Sequence, residues 1–210
     1  MTWYHSVTLL AFVLCLIGLA FHLIRIVRLG PPTDYSRQRG GVASAVRYSF
    51  LGAMDPRKKE SAYLHLPTYA AGLSYHAGTF LSIVLFPLLF ADVALDSIVR
   101  WSIAGFLTLS VASGTGIFLK RIIVGKIRSL SNPDDYLSNF FVTLFQLATL
   151  LMIMQGELKV YYFLSVSLLL LYLPLGKLKH ALYFFAARYY LGLFYGARGV
   201  WPLRKAGKSS

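Results

Sequence analysis

The chain of 210 residues contains one cysteine, Cys15, and eight acidic residues against 21 lysines and arginines. A single cysteine excludes an internal disulfide and a cysteine-ligated cluster within the chain, which leaves packing as the expected role of Cys15. The sequence lacks a Walker A motif, a G-x-S-x-G motif and the His/Cys spacing of zinc sites. All eight acidic residues lie at or outside the ends of the apolar runs. A hydrolase is therefore disfavoured, because no buried carboxylate is available to orient a catalytic base. A small transporter is disfavoured as well, because transport sites normally need charged residues near the middle of the membrane.

Apolar residues dominate what the sequence does contain. They make up 57% of the chain, aromatic residues 15% and charged residues 14%, well beyond the averages of soluble proteins. Five windows are long and apolar enough to cross a hydrocarbon core of roughly 30 Å, over residues 7–24, 66–90, 98–119, 137–154 and 160–175. The sequence therefore predicts an all-α integral membrane protein with five transmembrane helices. The first window has no A-x-A-like cleavage site, so we expect it to be retained.

The distribution of basic residues gives these helices an orientation. Arg100 and Lys159 fall in the second and fourth connections, whereas the other 19 basic residues fall in the first and third connections and the tail. By the positive-inside rule, the N-terminus lies outside and the C-terminus lies in the cytoplasm. The net charge of +13 is thus explained by topology, and we expect no nucleic-acid partner.

Two segments outside the windows have distinct compositions. The connection over residues 30–61 is basic and rich in turn residues, so we expect it to touch acidic membrane lipids or a partner subunit. The tail "KLKHALYFFAARYYLGLFYGARGVWP" interleaves basic residues with eight aromatic ones, which suits a helix in the membrane interface or a docking surface for a cytoplasmic subunit. We therefore divide the chain into a transmembrane domain over residues 1–180 and a cytoplasmic interfacial tail over residues 181–210.

Two histidines share one face of the second window. Eleven positions separate His65 from His76. Over eleven residues an α-helix turns about 20° beyond three full turns and rises by roughly 16 Å. His65 then lies at the cytoplasmic edge, and His76 lies about halfway across the membrane. His180 falls just past the fifth window, at a depth similar to that of His65, and His22 lies near the cytoplasmic end of the first window.

Imidazoles at membrane depth indicate a functional site, because ionisable side chains are rare there and neutral imidazole is a good iron ligand. Two imidazoles at matched depth, as expected for His65 and His180, can ligate a haem iron axially with the porphyrin between helices. Gly72 and Gly78 flank His76 and would let a flat macrocycle approach the backbone. A single histidine is better explained by a hydrogen bond to a neighbouring backbone, but the pair with a depth-matched third favours a cofactor.

Several motifs also carry a family resemblance. The runs "HLPTYAAGLSYH" and "AGTF", then "FLKRIIVGKIRS" and "YLPLGKLKH", resemble the gamma subunit of respiratory nitrate reductase. The runs "MDPRKKESAYLHLP" and "RYYLGLFYGARGVW" look closer to its relatives, the membrane cytochrome b subunits of heterodisulfide reductase and of complexes linked to dissimilatory sulfite reductase. The resemblance covers nearly the whole chain in order and topology.

The resemblance implies two b-type haems, one above the other, each held by one histidine of the second span and one of the fifth. His65 and His180 match the ligands of the cytoplasmic-side haem, and His76 matches one ligand of the outer-side haem. The fourth ligand is missing, because the region several turns before His180 holds Tyr161 and Tyr162.

Three arrangements of the histidines remain open. The chain holds one haem while His76 faces a quinone, or a second haem takes His22, or His76 pairs with His180 around a single deeper haem. We favour one haem b at His65 and His180, with His76 as a second-haem ligand or a quinone contact.

Basic residues near the cytoplasmic edge are candidates for neutralising haem propionates. They are Arg47, Lys58, Arg121 and Lys177. Topology-setting charge is the better explanation for any one of them.

These features predict electron transfer between the quinone pool, as menaquinone or ubiquinone, and a cytoplasmic iron–sulfur partner. The resemblance implies a cytochrome b subunit of a heterodisulfide-reductase-like or related oxidoreductase complex in the prokaryotic plasma membrane. The alternative is a haem-free membrane anchor that recruits a soluble redox subunit. The anchor predicts no visible absorption and tolerance of His65→Ala and His180→Ala.

Overall fold

The computed structural model describes residues 2–31, 33–55 and 64–202. Within these residues the chain forms eight α-helices and no strand, which confirms the predicted all-α class. The helices are α1 (Trp3–Leu29), α2 (Val42–Phe50), α3 (Leu66–Phe90), α4 (Ser97–Ile123), α5 (Gly125–Ser129), α6 (Pro133–Met154), α7 (Lys159–Tyr172) and α8 (His180–Ala197). Two single-turn 3-10 helices, Gly156–Leu158 and Lys177–Lys179, precede α7 and α8.

In the described part of the chain, four helices are long and apolar enough to cross a membrane. They are α1, α3, α4 and α6, and they contain the first four predicted windows. The fifth window differs, because α7 has only 14 residues and is about 21 Å long, short of a roughly 30 Å hydrocarbon core. It counts as a fifth span only when it is taken together with α8 as one interrupted pair. Four or five candidate spans are compatible with a multi-pass membrane protein.

Pro174 explains why the last predicted span is interrupted. Proline lacks a backbone donor, and its ring clashes with the carbonyl group four residues earlier, so Pro174 cannot continue the helical hydrogen bonds. The N–H groups of Leu175 and Gly176 instead donate to the carbonyl oxygen of Tyr172, at 3.0 and 2.8 Å, and close a turn. The Tyr172 ring lies where a side chain at Gly176 would have to be. The helix therefore ends at Tyr172 and not at the predicted residue 175.

The chain divides into two compact units, which are defined by packing. The first unit comprises Met1–Gly18 and His65–Leu178. Its apolar core comes mainly from α3, α4, α6 and α7, which contact one another in sequence, with an additional contact between α3 and α6. The predicted division at residue 180 rests on position relative to a membrane and stays a prediction.

A buried polar network joins α3, α4 and α6 in this unit. Gln146 is fully buried, and its Nε2 donates to the carbonyl oxygen of Tyr75 at 3.0 Å and to the hydroxyl of Thr79 at 2.7 Å. Its Oε1 accepts a hydrogen bond from Ser110 at 2.7 Å. Gly78 lets the helices approach, because an added Cβ would overlap the side chain of Ser110. Hydrocarbon offers no water to replace these bonds, so the network fixes how the three helices face one another.

A second polar contact attaches the first part of α1 to α7. Thr8 is fully buried, and its hydroxyl lies 3.1 Å from the carbonyl oxygen of Phe163 and 3.0 Å from the hydroxyl of Ser167. Cys15 is buried on the same helix, as its predicted packing role requires. Small side chains at such positions allow close packing of spanning helices.

The second unit comprises Leu19–Leu64 and Lys179–Ser210, and its described part is built on α2 and α8. Gly192 and Gly196 form a G-x-x-x-G pattern on α8 and are both buried. A Cβ at Gly192 would lie 2.6 Å from the Cα of Val46, and one at Gly196 would lie 2.6 Å from the Cβ of Ala45. The pattern therefore brings the two helix backbones into contact.

We expect Gln146→Leu to lower the free energy of unfolding by about 1–2 kcal/mol, because hydrogen bonds between spanning helices contribute ~0.6 kcal/mol on average and up to ~1.7. Gln155→Leu is the matched control, since Gln155 is exposed at the end of α6. Unfolding in mixed detergent micelles, followed by circular dichroism, measures both changes. Equal losses in the two variants would contradict the role of the network.

Candidate functional site

α3 carries both histidines that the sequence selected in the second window. His65 is the N-cap residue, Pro67 lies in the first turn, and the helix continues without interruption past His76. The backbone of His65 is not itself helical, with φ −131° and ψ 48°, so the shared face stays a prediction from the spacing, with the two residues roughly 16 Å apart along the axis. Both side chains are exposed.

Gly72 lies between the two histidines on the same face. In an ideal α-helix, the seven positions from His65 to Gly72 rotate the chain to about 20° short of two full turns. The four positions from Gly72 to His76 rotate it about 40° beyond one full turn. Outside the backbone of its own helix, no heavy atom of the described residues lies within 4 Å of the position that a Cβ at Gly72 would take. We call His65, Gly72 and His76 the histidine face. It combines two imidazoles with space beside the backbone between them.

The residue next to His76 belongs to the packed side of the same helix. The Tyr75 hydroxyl donates to the carbonyl oxygen of Asn139 at 3.0 Å and lies 3.2 Å from the hydroxyl of Thr143. Successive helical residues point about 100° apart, so α3 has a packed polar side and an exposed histidine face. Different residues of α3 therefore form the helix contacts and the candidate site.

Gly78 does not belong to the open space, although the sequence grouped it with Gly72 around His76. It is buried, and a side chain there would overlap Ser110 on α4. Six positions rotate an α-helix by about 600°, so Gly72 and Gly78 point about 120° apart around α3. Gly72 borders the histidine face, whereas Gly78 serves helix packing.

The other two predicted ligands lie in the second unit. His180 is the first residue of α8 and is exposed. His22 is half-buried, and its Nδ1 lies 3.2 Å from the hydroxyl of Tyr183. A hydrogen bond at Nδ1 orients the imidazole ring. The pairing of His65 or His76 with either residue stays a prediction.

Tyrosines occupy the region where the resemblance expects a fourth ligand. Tyr162 is 1% exposed, and its ring packs edge-on against Phe163 with centroids 5.1 Å apart. Tyr161 is 71% exposed and points away from this core. The interior position therefore holds a core aromatic residue.

Two of the four candidate partners of haem propionates share a carboxylate of the chain itself. Asp135 is 8% exposed, and it forms ion pairs with Lys177 and, at 3.5 Å, with Arg121. This arrangement accounts for both cations without a cofactor. Arg47 is exposed on α2, and Lys58 lies outside the described residues.

The residues present fit haem better than a metal site made of side chains alone. Across the described ranges, no three His, Cys, Asp or Glu side chains come together as a potential metal site. Haem demands less of the protein, because the porphyrin supplies four nitrogens and the chain only axial ligands. The imidazoles of His65 and His76, with the space at Gly72, meet that demand in ligand type and in access.

Sequence reasoning missed several groups that fix the packing within the two units. Gln146 stands in the middle of an apolar window, and that lone amide was a signal for a helix-packing contact. The G-x-x-x-G pattern at Gly192 and Gly196 was a second signal. The shared carboxylate of Asp135 gave no signal, because its partners are far away in sequence.

Comparison with known proteins gives no match to a protein-family model, a curated protein or a solved structure. The resemblance to the nitrate reductase gamma subunit family therefore stays a prediction based on the motifs quoted above.

We expect Asp135→Asn to lower the free energy of unfolding by about 1.5–3 kcal/mol, the range for hydrogen bonds to charged groups. Asparagine keeps an acceptor for the cap of α6 but removes the charge that Arg121 and Lys177 share. Asp96→Asn is the control, because Asp96 caps α4 by accepting from the backbone N–H of Ile98. Thermal unfolding in detergent measures both, and an equal loss in the control would contradict the ion-pair account.

Proposed function

We propose that this protein is a b-type cytochrome subunit that transfers electrons between the quinone pool and a cytoplasmic iron–sulfur partner. The observation that supports this function is the histidine face, with two exposed imidazoles and an open glycine on one side of a candidate spanning helix. The proposed location is the prokaryotic plasma membrane, with the N-terminus outside.

Exposure of His76 in the middle of α3 is the first argument for a cofactor. A polar side chain that faces hydrocarbon is costly, so such residues are expected where a ligand, a metal or a partner covers them. Side chains such as Gln146 and Thr8 form interhelical hydrogen bonds in the first unit.

Each residue of the histidine face has a role that its chemistry permits. His65 and His76 would each donate a ring nitrogen to an iron, and Gly72 would leave room for the edge of a flat macrocycle. The exposed apolar side chains of Leu73 and Phe80 on the same helix would exclude water. Haem b supplies one-electron transfer at its iron, and the protein tunes the potential through axial ligands and burial.

The remaining assignments of the proposal follow from the sequence. His180 is the proposed second ligand at His65, while His76 binds a second haem, with His22 as a candidate partner, or contacts the quinone. Cys15 is the chain's one cysteine, so iron–sulfur clusters would belong to a separate subunit. A heterodisulfide-reductase-like complex is the proposed setting, with menaquinone or ubiquinone as the membrane substrate.

A dithionite-reduced minus oxidised visible spectrum of the purified protein tests the proposal. We expect a b-type alpha band and about one haem per chain by pyridine haemochrome, since axial imidazole ligation is typical of such cytochromes. His65→Ala and His180→Ala should abolish the band or halve it. Added imidazole should restore it in part, because a free ligand can fill the space left by the side chain.

The control is His5→Gln. His5 packs against Phe90 and Phe163, with ring centroids 5.0 and 4.4 Å apart, and lies outside the proposed ligand set. This variant should keep the full band. A featureless spectrum from protein isolated with its partner would refute the cytochrome and favour the haem-free anchor.

Gly72→Leu tests whether the space beside the histidine face receives the cofactor. The structure has room for the new side chain, so we expect the fold to survive while haem per chain falls at least about twofold, because the leucine takes up the volume proposed for the macrocycle. Gly105→Leu is a matched control, since its Cβ position on α4 is equally open among the described residues. Haemochrome quantitation and circular dichroism are measured on both variants. Equal haem content in the two would contradict this site.

A further inference from the structure

An arginine-lined cleft lies in the second unit, apart from the histidine face. Its volume is about 460 Å³, and its lining residues are Ser36, Arg37, Arg39 and Arg198. Three come from the segment between α1 and α2, and Arg198 directly follows α8. We call these four residues the arginine cleft.

Backbone contacts hold the two sides of the cleft together. The N–H of Arg39 donates to the carbonyl oxygen of Ala197 at 2.7 Å. A Cβ at Gly40 would lie 2.6 Å from the Cα of Gly199, so the two backbone segments approach as closely as glycine allows. Gly199 has a φ of +70°, a conformation that side chains rarely adopt. The arginines thus project from a fixed backbone frame.

Arg198 is held in place by its neighbours. Its Nη1 lies 2.7 Å from one carboxylate oxygen of Asp34, and its Nη2 donates to the other at 3.2 Å. Its guanidinium carbon also lies 3.6 Å from the centroid of the Phe194 ring. Hydrogen bonds from the backbone N–H and the hydroxyl of Ser36, with a smaller effect of Arg198, hold the pKa of Asp34 below its ordinary value. Asp34 therefore remains an anion at neutral pH and orients Arg198.

The cleft retains positive charge after this pairing. Asp34 neutralises one of the three guanidinium groups, and no carboxylate of the described residues forms an ion pair with Arg37 or Arg39. Guanidinium groups donate in a planar fork that matches the oxygens of a phosphate group. Two such groups beside an oriented third favour an anion with several acceptor oxygens.

We propose that the arginine cleft binds a phosphate-bearing anion, the headgroup of an anionic phospholipid. Its place in the chain favours lipid over free phosphate. Arg37 follows the end of α1 at Leu29 by eight residues, which span at most about 29 Å when fully extended, so the cleft stays within reach of the membrane surface. The same unit exposes aromatic side chains on α8, including Phe185 and Tyr189, and such side chains suit headgroup depth.

Native mass spectrometry of the full chain in neutral detergent tests this site with phosphatidylglycerol as the probe and phosphatidylcholine as the neutral lipid. Arg37→Gln combined with Arg39→Gln should weaken phosphatidylglycerol binding by at least about tenfold, since it removes two charge-assisted contacts. Arg25→Gln combined with Arg28→Gln removes the same charge from exposed positions of α1 outside the cleft, and should change binding less than about twofold. Circular dichroism checks the fold of both variants.

Each other outcome overturns a stated part of the proposal. Equal weakening in both double variants, or none in either, would show that the cleft is not the lipid site. Binding of inorganic phosphate, detected by competition, without any preference for phosphatidylglycerol over phosphatidylcholine would replace the lipid by a soluble anion. The test does not depend on haem, so its result is separate from that of the proposed electron-transfer function.

Discussion

The buried amide of Gln146 is the constraint on which the first unit depends. One side chain of α6 donates to α3 and accepts from α4, so the three helices have one arrangement in which all its hydrogen bonds are made. In hydrocarbon, apolar contact alone distinguishes poorly between alternative rotations of a helix, because lipid tails are as apolar as leucine. A satisfied polar network gives that specificity, and glycine at position 78 provides the close approach it needs.

This constraint determines which side of α3 remains available for a ligand. Once Tyr75 and Gly78 face α4 and α6, the geometry of the helix turns His65, Gly72 and His76 away from that packing. The candidate site is thus a consequence of packing on another side of the same helix. Asp135 has a comparable effect in the first turn of α6, where it holds two cations that would otherwise be candidates for a cofactor's carboxylates.

In the second unit, the close approach of backbone segments decides which side chains come together. The glycines of α8 bring α2 into contact, and the chain after α8 meets the segment before α2 through the hydrogen bond from Arg39 to Ala197. Only then do arginines that are more than 150 positions apart in sequence line one cleft. From the count of charges alone, these arginines only indicate membrane orientation, because the positive-inside rule gives every basic loop residue equal weight.

The sequence by itself determined the helical class, the four long candidate spans and the place of His65 and His76 on one helix, because length, hydropathy and a 3.6-residue period are local properties. It also contained the proline that ends α7, although hydropathy counting extended that window to residue 175. Only the tertiary structure decided that Gly72 is open while Gly78 is packed, and that Asp135 joins Arg121 and Lys177. These features depend on residues distant in sequence, and a one-dimensional pattern does not record which of them meet.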